Sequence, residues 1–321
     1  MCELCGHIDV YAKSDRVDPT RSIALRNSFV RQMTLRFNKI IKKATEAIVE
    51  QNVFALQTNV YTPASNAFNF PTSSEKVDAF MEWLRQLVKD ELLEVGRMPQ
   101  YGSAINKVWT DLYVMDSYKR GLARARMEMK KAGYDIPSLQ QTGGVQMSFN
   151  NPFHMDRVGL LYSRVYSELK GITDMMDVQI SKVLAQGMIE GDNPRTMARK
   201  MRAVIEGGGE DLGITDTLGR FIPAKRRAEI LARTEITRAY HQANIQEMKN
   251  WGIEGVNVQA EWSTAEDSRV CQQCKDMATD ENGDVIIYTM DEIMNLIPLH
   301  PNCRCLALPV IAENKQKSKK K

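Results

Sequence analysis

No stretch of this 321-residue chain approaches the roughly 20 consecutive apolar residues that a bilayer-spanning helix needs, which excludes an ordinary transmembrane protein. The first residues, Met-Cys-Glu-Leu-Cys-Gly-His-Ile-Asp, carry neither a basic n-region nor an apolar h-region. No secretory signal is read there, and the chain is expected to be soluble and to stay inside the cell that makes it. A strong excess of either charge is missing too: 43 basic residues face 40 acidic ones, a net of +3, so the whole surface is not a nucleic-acid coat. Any nucleic-acid contact has to be local. His-Glu-x-x-His, the helical ligand pair of many hydrolytic zinc enzymes, does not occur.

What is present is an ordinary globular composition, 43% apolar and 26% charged, with length enough for two domains or one domain and a long extension. Over residues 19–54, Phe29, Met33, Phe37, Ile40, Ala44 and Ile48 recur at intervals of three or four, the period of one helix face. Asp18 before Pro19 predicts the cap and first turn. Residues 60–72 lack periodicity and read as a loop before a helix starting near Ser73 and carrying Val77, Phe80, Leu84, Leu87 and Val88. A third helix is predicted over residues 103–132, ending at Gly133; its basic residues Arg120, Arg124, Arg126, Lys130 and Lys131 read as a solvated face in preference to a nucleic-acid site.

After a Gly143-Gly144 loop, a stripe from Val158 through Leu161, Val165, Leu169, Ile172, Met176 and Ile180 to Val183 predicts a long helix buried against neighbours. Gly187 and Gly191 should close it, Asn193 and Pro194 should open a short helix, and Gly207-Gly208-Gly209 should end that one. A further helix is expected over residues 224–250, then strands over residues 256–262 and 285–288. The lysine-rich residues 315–321 have nothing to bury and are expected to be disordered. The fold class is therefore mainly α with a small C-terminal α+β module, in three parts: a helical region 1–150, a domain 151–312, and a basic tail 313–321.

The cysteines carry the chemistry. In a reducing compartment, the pairs Cys2/Cys5, Cys271/Cys274 and Cys303/Cys305 favour metal binding over disulfides. Cys271-x-x-Cys274 offers two thiolates to one ion, and His300-Pro301-Asn302-Cys303-Arg304-Cys305 supplies an imidazole and two more thiolates about 25 residues on. Five groups thus compete for the four places of a structural zinc ion, with the choice among His300, Cys303 and Cys305 open. Closing this loop would staple a region too small for its own core. Arg304 reads as solvated in preference to pairing with Asp267 or Glu266, and Asp267 as a hydrogen-bond acceptor for backbone amides of the turn. Cys2, Cys5 and His7 read as a frayed terminus, with a second metal as the alternative.

The order Ala232-Arg233-Thr234-Glu235, then Trp262-Ser263-Thr264, Asp267-Ser268-Arg269-Val270-Cys271, Cys274 and His300-Pro301-Asn302-Cys303-Arg304-Cys305 resembles the phage head morphogenesis family, the phage Mu protein F-like minor head proteins. The likeness covers about residues 172–310. It implies a minor virion component at the portal vertex of the procapsid that supports head assembly or the handling of packaged DNA, with no settled enzymatic activity. Implied partners are the portal protein, a major capsid or scaffold protein, and packaged DNA, with the virion, and the host cytoplasm during assembly, as its place. On the residues themselves, Arg233, Thr234 and Glu235 read as helix-packing groups, and Lys315, Lys317, Lys319, Lys320 and Lys321 as salt-sensitive phosphate contacts or a solubilising tail. The competing readings are an enzyme using Glu235 and His241, or Asp267, as acid and base, and a nucleic-acid zinc finger, for which the usual spacing is missing.

Overall fold

Apolar spacing sets the helices, and the computed structural model places them largely where that spacing predicts; it describes residues 18–56, 72–93, 95–96, 107–208, 221–253, 258–265 and 267–311. Helix α1 spans Ile23–Val49 and α2 spans Ser73–Leu92, followed by a two-residue antiparallel ladder of β1 (Val95–Gly96) with β2 (Lys107–Val108). Then come α3 (Trp109–Lys131), the short α4 (Gly144–Phe149), α5 (Pro152–Glu190), α6 (Pro194–Glu206) and α7 (Ala224–Ile253). The C-terminal part adds β3 (Val258–Ser263), α8 (Gln272–Asp276), β4 (Ile287–Thr289), α9 (Met290–Leu296) and β5 (Leu306–Ile311).

The chain divides into two compact units, each assembled from more than one stretch of sequence. One unit is made of Phe29–Trp109 and Arg164–Ala232. Its core holds the predicted α1 stripe, Phe29, Met33, Phe37, Ile40, Ala44 and Ile48, all fully buried, with Phe80 and Leu84 of α2 and Met197 and Met201 of α6. Helix α1 starts four residues later than predicted, because Pro19 to Arg21 form a turn in which the Arg21 amide bonds to the Asp18 carbonyl. Asp18 still caps, reaching forward to accept the Ile23 amide at 2.8 Å. A capping box of Thr72 with Glu75 opens α2, and Asn193 accepts the Thr196 amide at 3.0 Å to open α6 as predicted. Gly187, expected to close α5, lies inside it; a Cβ there would press on Met197 and Asp192, so the glycine permits a close approach instead.

The other unit gathers Met1–Ser28, Thr110–Ser163 and Arg233–Lys321. Its sheet has the antiparallel order β4-β3-β5. Strand β3 alternates as predicted, with Val258, Ala260 and Trp262 inward, and pairs with β5 from Val258 opposite Ile311 to Ser263 opposite Leu306. The inward face packs on Ala125 and Met129 of α3 and Ile245 and Met248 of α7. Between Arg233 and Met248, α7 is buried nearly all round, although it carries Glu235, Thr237, His241, Asn244, Gln246 and Glu247. Strand β5 was not anticipated.

The solvated face predicted for α3 holds for Arg120 and Lys130 but not for Arg124 and Arg126, which are buried. Their charges are tolerated because each meets a buried carboxylate: Arg124 pairs with Glu128 at 2.7 Å and Arg126 with Glu247. Most of the predicted 60–72 loop, the Cys2, Cys5 and His7 cluster, and the tail from Lys315 to Lys321 lie outside the described residues.

Candidate metal centre

Cys271 is the N-cap of α8, so the single turn that follows carries Cys274 back over it; the Lys275 amide bonds to the Cys271 carbonyl at 3.3 Å. Tyr288 of β4 donates its hydroxyl to the Met277 carbonyl at 2.7 Å, fastening the end of that turn to the sheet. The second half of the cluster is a turn leading into β5. Its Cys303 amide bonds to the His300 carbonyl at 3.1 Å, and Asn302 takes a left-handed φ of 62°, which asparagine tolerates better than most residues.

These two turns bring all five candidate ligands together. His300 Nε2 is 3.2 Å from the Sγ of both Cys271 and Cys274, and Cys274 Sγ is 3.9 Å from Cys303 Sγ. The donor atoms form two overlapping triads, Cys271-Cys274-His300 and Cys274-Cys303-Cys305, each within 4.8 Å, that share Cys274. A tetrahedral zinc ion with ordinary bond lengths sets its sulfurs about 3.8 Å apart and a sulfur and nitrogen about 3.5 Å apart. The observed spacings are close to these, and this donor set can hold a metal ion.

The ring orientation of His300 agrees. Its Nδ1 lies 2.8 Å from the Pro301 carbonyl, which can only accept, so Nδ1 carries the proton and Nε2 turns its lone pair toward the thiols. Cys274, Cys303 and Cys305 are buried, and Cys271 is half-buried. The thiols share protons unequally: a hydrogen bond from Cys305 draws the Cys303 thiol down to about 5, whereas burial and the neighbouring Cys303 push Cys274 up to about 12. Bringing an ion to such a cluster would release those protons.

Around the cluster, Trp262 lies buried in the core that also takes in Cys274, Cys303 and Cys305. Arg304 corrects the solvated reading: it donates from Nη1 and Nη2 to both oxygens of Asp267, at 2.7 and 2.6 Å, with its side chain 14% exposed. Asp267 also accepts the Arg269 amide at 3.0 Å, the turn-bracing role predicted for it. Led by the Arg304 hydrogen bond, these contacts hold its carboxyl below the usual carboxylate range. Glu235 is buried on α7 and pairs with Arg238 one turn on at 3.2 Å; the Arg233 carbonyl accepts the Thr237 hydroxyl at 3.1 Å, and Thr234 is half-buried.

Residues 178–308 match the family model described as Phage Mu protein F like protein. This match supports the phage head morphogenesis family for that segment. The comparisons with curated proteins and with solved structures found no match. The Mu F-like segment carries all five candidate ligands together with Arg233, Thr234, Glu235, Trp262 and Asp267. It does not complete its own core. Glu247, within the segment, accepts hydrogen bonds from Trp251 Nε1 at 2.9 Å, from Arg126 of α3, and from His154 Nε2 of α5 at 3.2 Å. The other ring nitrogen of His154, Nδ1, lies 2.9 Å from the Tyr118 hydroxyl. Arg126, Tyr118 and His154 all precede the family segment, and sequence reasoning missed this network. The only signal was polar residues at core-facing positions of α7, which no local pattern distinguishes from a solvated face.

Proposed function

We propose that this chain is a minor head protein of a tailed phage, present in the virion at the portal vertex, where it supports procapsid assembly and DNA packaging or ejection. The observation that carries the reading is the family match over residues 178–308, whose motif residues and Cys/His cluster lie in one compact unit. Cys271, Cys274, His300 and one of Cys303 and Cys305 hold a structural zinc ion; thiolates with an imidazole at tetrahedral spacing suit zinc. The ion closes the turn before α8 onto the turn before β5, adding to folding where the sheet has only three strands.

The non-enzymatic reading is supported by the state of the candidate acids and bases. Both oxygens of Asp267 are engaged by Arg304, and His241 is fully buried and held neutral, burial pushing it down to about 3. No helix among the described residues is long and apolar enough to cross a membrane. The lysines from Lys315 to Lys321 add phosphate contacts to packaged DNA in this proposal, and the portal protein, with major capsid or scaffold protein, is the docking partner. Pull-down of the full chain on assembled portal rings tests it: stoichiometric, saturable capture is expected, and absence of the chain from both portal complexes and purified virions would overturn it.

A further inference from the structure

From Arg164 to Glu190, within one compact unit, helix α5 is buried along one side and bare along the other. Leu169, Met176, Ile180 and Val183 face the core. The outward side carries Gly171, Met175, Val178, Lys182, Ala185 and Ile189, all exposed. Met175, Val178 and Ile189 are 51%, 66% and 79% exposed, so the strip is apolar apart from one lysine. Arg227 of α7 reaches the Met175 sulfur from the side. The alternating intervals of four and three are those of the seam along which two helices pair. Two residues of the strip have no use within the chain. Gly171 lies mid-helix, where glycine weakens a helix, yet a Cβ there would meet nothing within 4 Å. Lys182 pairs with no carboxylate among the described residues. The acidic residues flanking the strip, Glu168 and Asp174, meet exposed neighbours on their own helix, Arg164 at 3.4 Å and Lys170 at 2.5 Å. Such exposed pairs hold weakly and change partners easily.

We propose that this strip docks a second copy of the chain, the two α5 helices lying antiparallel. Setting Met175 of one copy against Val178 of the other places Lys182 over Gly171 of the other copy. The glycine leaves room for the lysine stem, and Glu168 and Asp174 lie about one turn to either side to receive its ammonium. The two-fold axis repeats each contact. A parallel pair would instead stack Lys182 on Lys182, like charges facing. The pattern of charge and side-chain size complements itself in one orientation, and this selects a second copy over an unrelated helix. From Gly171 to Ile189 the strip is about 27 Å long and one helix wide. That is less than the roughly 800 Å² per partner of a tight complex, so the dimer is weak, with a dissociation constant on the order of tens of micromolar.

The test is sedimentation velocity of the full chain at concentrations spanning that constant, where a monomer–dimer equilibrium is expected. Val178→Asp should weaken the dimer roughly tenfold or more, as should Gly171→Leu, which fills the place of the lysine stem. The melting temperature of dilute Gly171→Leu should equal or exceed that of the wild type, since leucine favours the helix and meets nothing in its own chain. Met147→Ser on α4, equally exposed, should leave the dimer unchanged. Lys182→Glu, and the double variant Glu168→Lys with Asp174→Lys, should each dimerise roughly tenfold more weakly alone, and mixing the two should restore the dimer. A dimer indifferent to Val178→Asp, or no recovery in the mixture, would overturn the proposal. Monomers at every concentration would overturn it too; loss of portal-ring capture by Val178→Asp would then assign the strip to the portal.

Discussion

Arg304, between the last two cysteines, clasps Asp267 with two parallel hydrogen bonds of 2.7 and 2.6 Å. This pair ties the loop after β3 to the turn that carries Cys303 and Cys305, so each end of the candidate metal centre is fixed by more than its thiols. Replacing Arg304 with Gln should lower stability by about 1–2 kcal/mol, read by urea denaturation, because the pair is planar and mostly shielded yet not fully buried. A loss indistinguishable from zero would mean that the clasp is surface decoration.

The same pair sets a pH dependence. The Asp267 carboxyl lies below its unfolded value, so its contribution is complete above about pH 4 and is lost as pH falls through the unfolded value toward the folded one. Melting temperatures of Asp267→Asn should therefore be lower than wild type at neutral pH and converge with it in acid. Parallel curves would contradict the assignment.

Glu247 is held in the same direction: burial alone would raise its carboxyl, but hydrogen bonds from His154, Arg126 and Trp251 outweigh it. Removing the guanidinium strands that charge in the core. Arg126→Met should cost about 3–5 kcal/mol, and Arg126→Lys should recover only part, since one ammonium replaces a fork that also reaches the Pro137 carbonyl at 2.9 Å. The double variant Arg126→Met with Glu247→Gln should be less damaged than the sum of its parts. Strict additivity in this cycle would show that the two groups are uncoupled.

Gly121 lets α3 and α7 approach closely: a Cβ there would collide with the Tyr240 carbonyl oxygen. Gly121→Ala should destabilise by about 1–3 kcal/mol despite the gain in helix propensity. Equal or greater stability of this variant in chemical denaturation would contradict the packing.

Much of this was legible in the sequence for a physical reason: periodicity and ligand spacing are local. The Phe29-to-Ile48 stripe, the Asn193-Pro194 helix start, the alternation of β3 and the Cys271/Cys274 pair each fall within a few turns of chain. The clasp of Arg304 on Asp267 and the Arg126-Glu247-His154 network join residues 37 to 121 positions apart, and charged residues at such positions look solvated until the partner is known. The same limit hid β5 and the way residues 110–163 join the C-terminal segment in one unit.

In the proposed reading the Cys/His cluster holds a structural zinc ion in a head-assembly module. Cys274 belongs to both triads, so Cys274→Ser should be the most damaging of the cysteine variants, while one of Cys303→Ser and Cys305→Ser should keep near-stoichiometric metal. Metal content by mass spectrometry on the intact chain decides whether the ion is there: one zinc per chain is expected, with its removal by a strong chelator exposing the thiols and lowering the melting temperature. A metal-free wild type that stays folded, and that neither takes up added zinc nor melts higher with it, would contradict it.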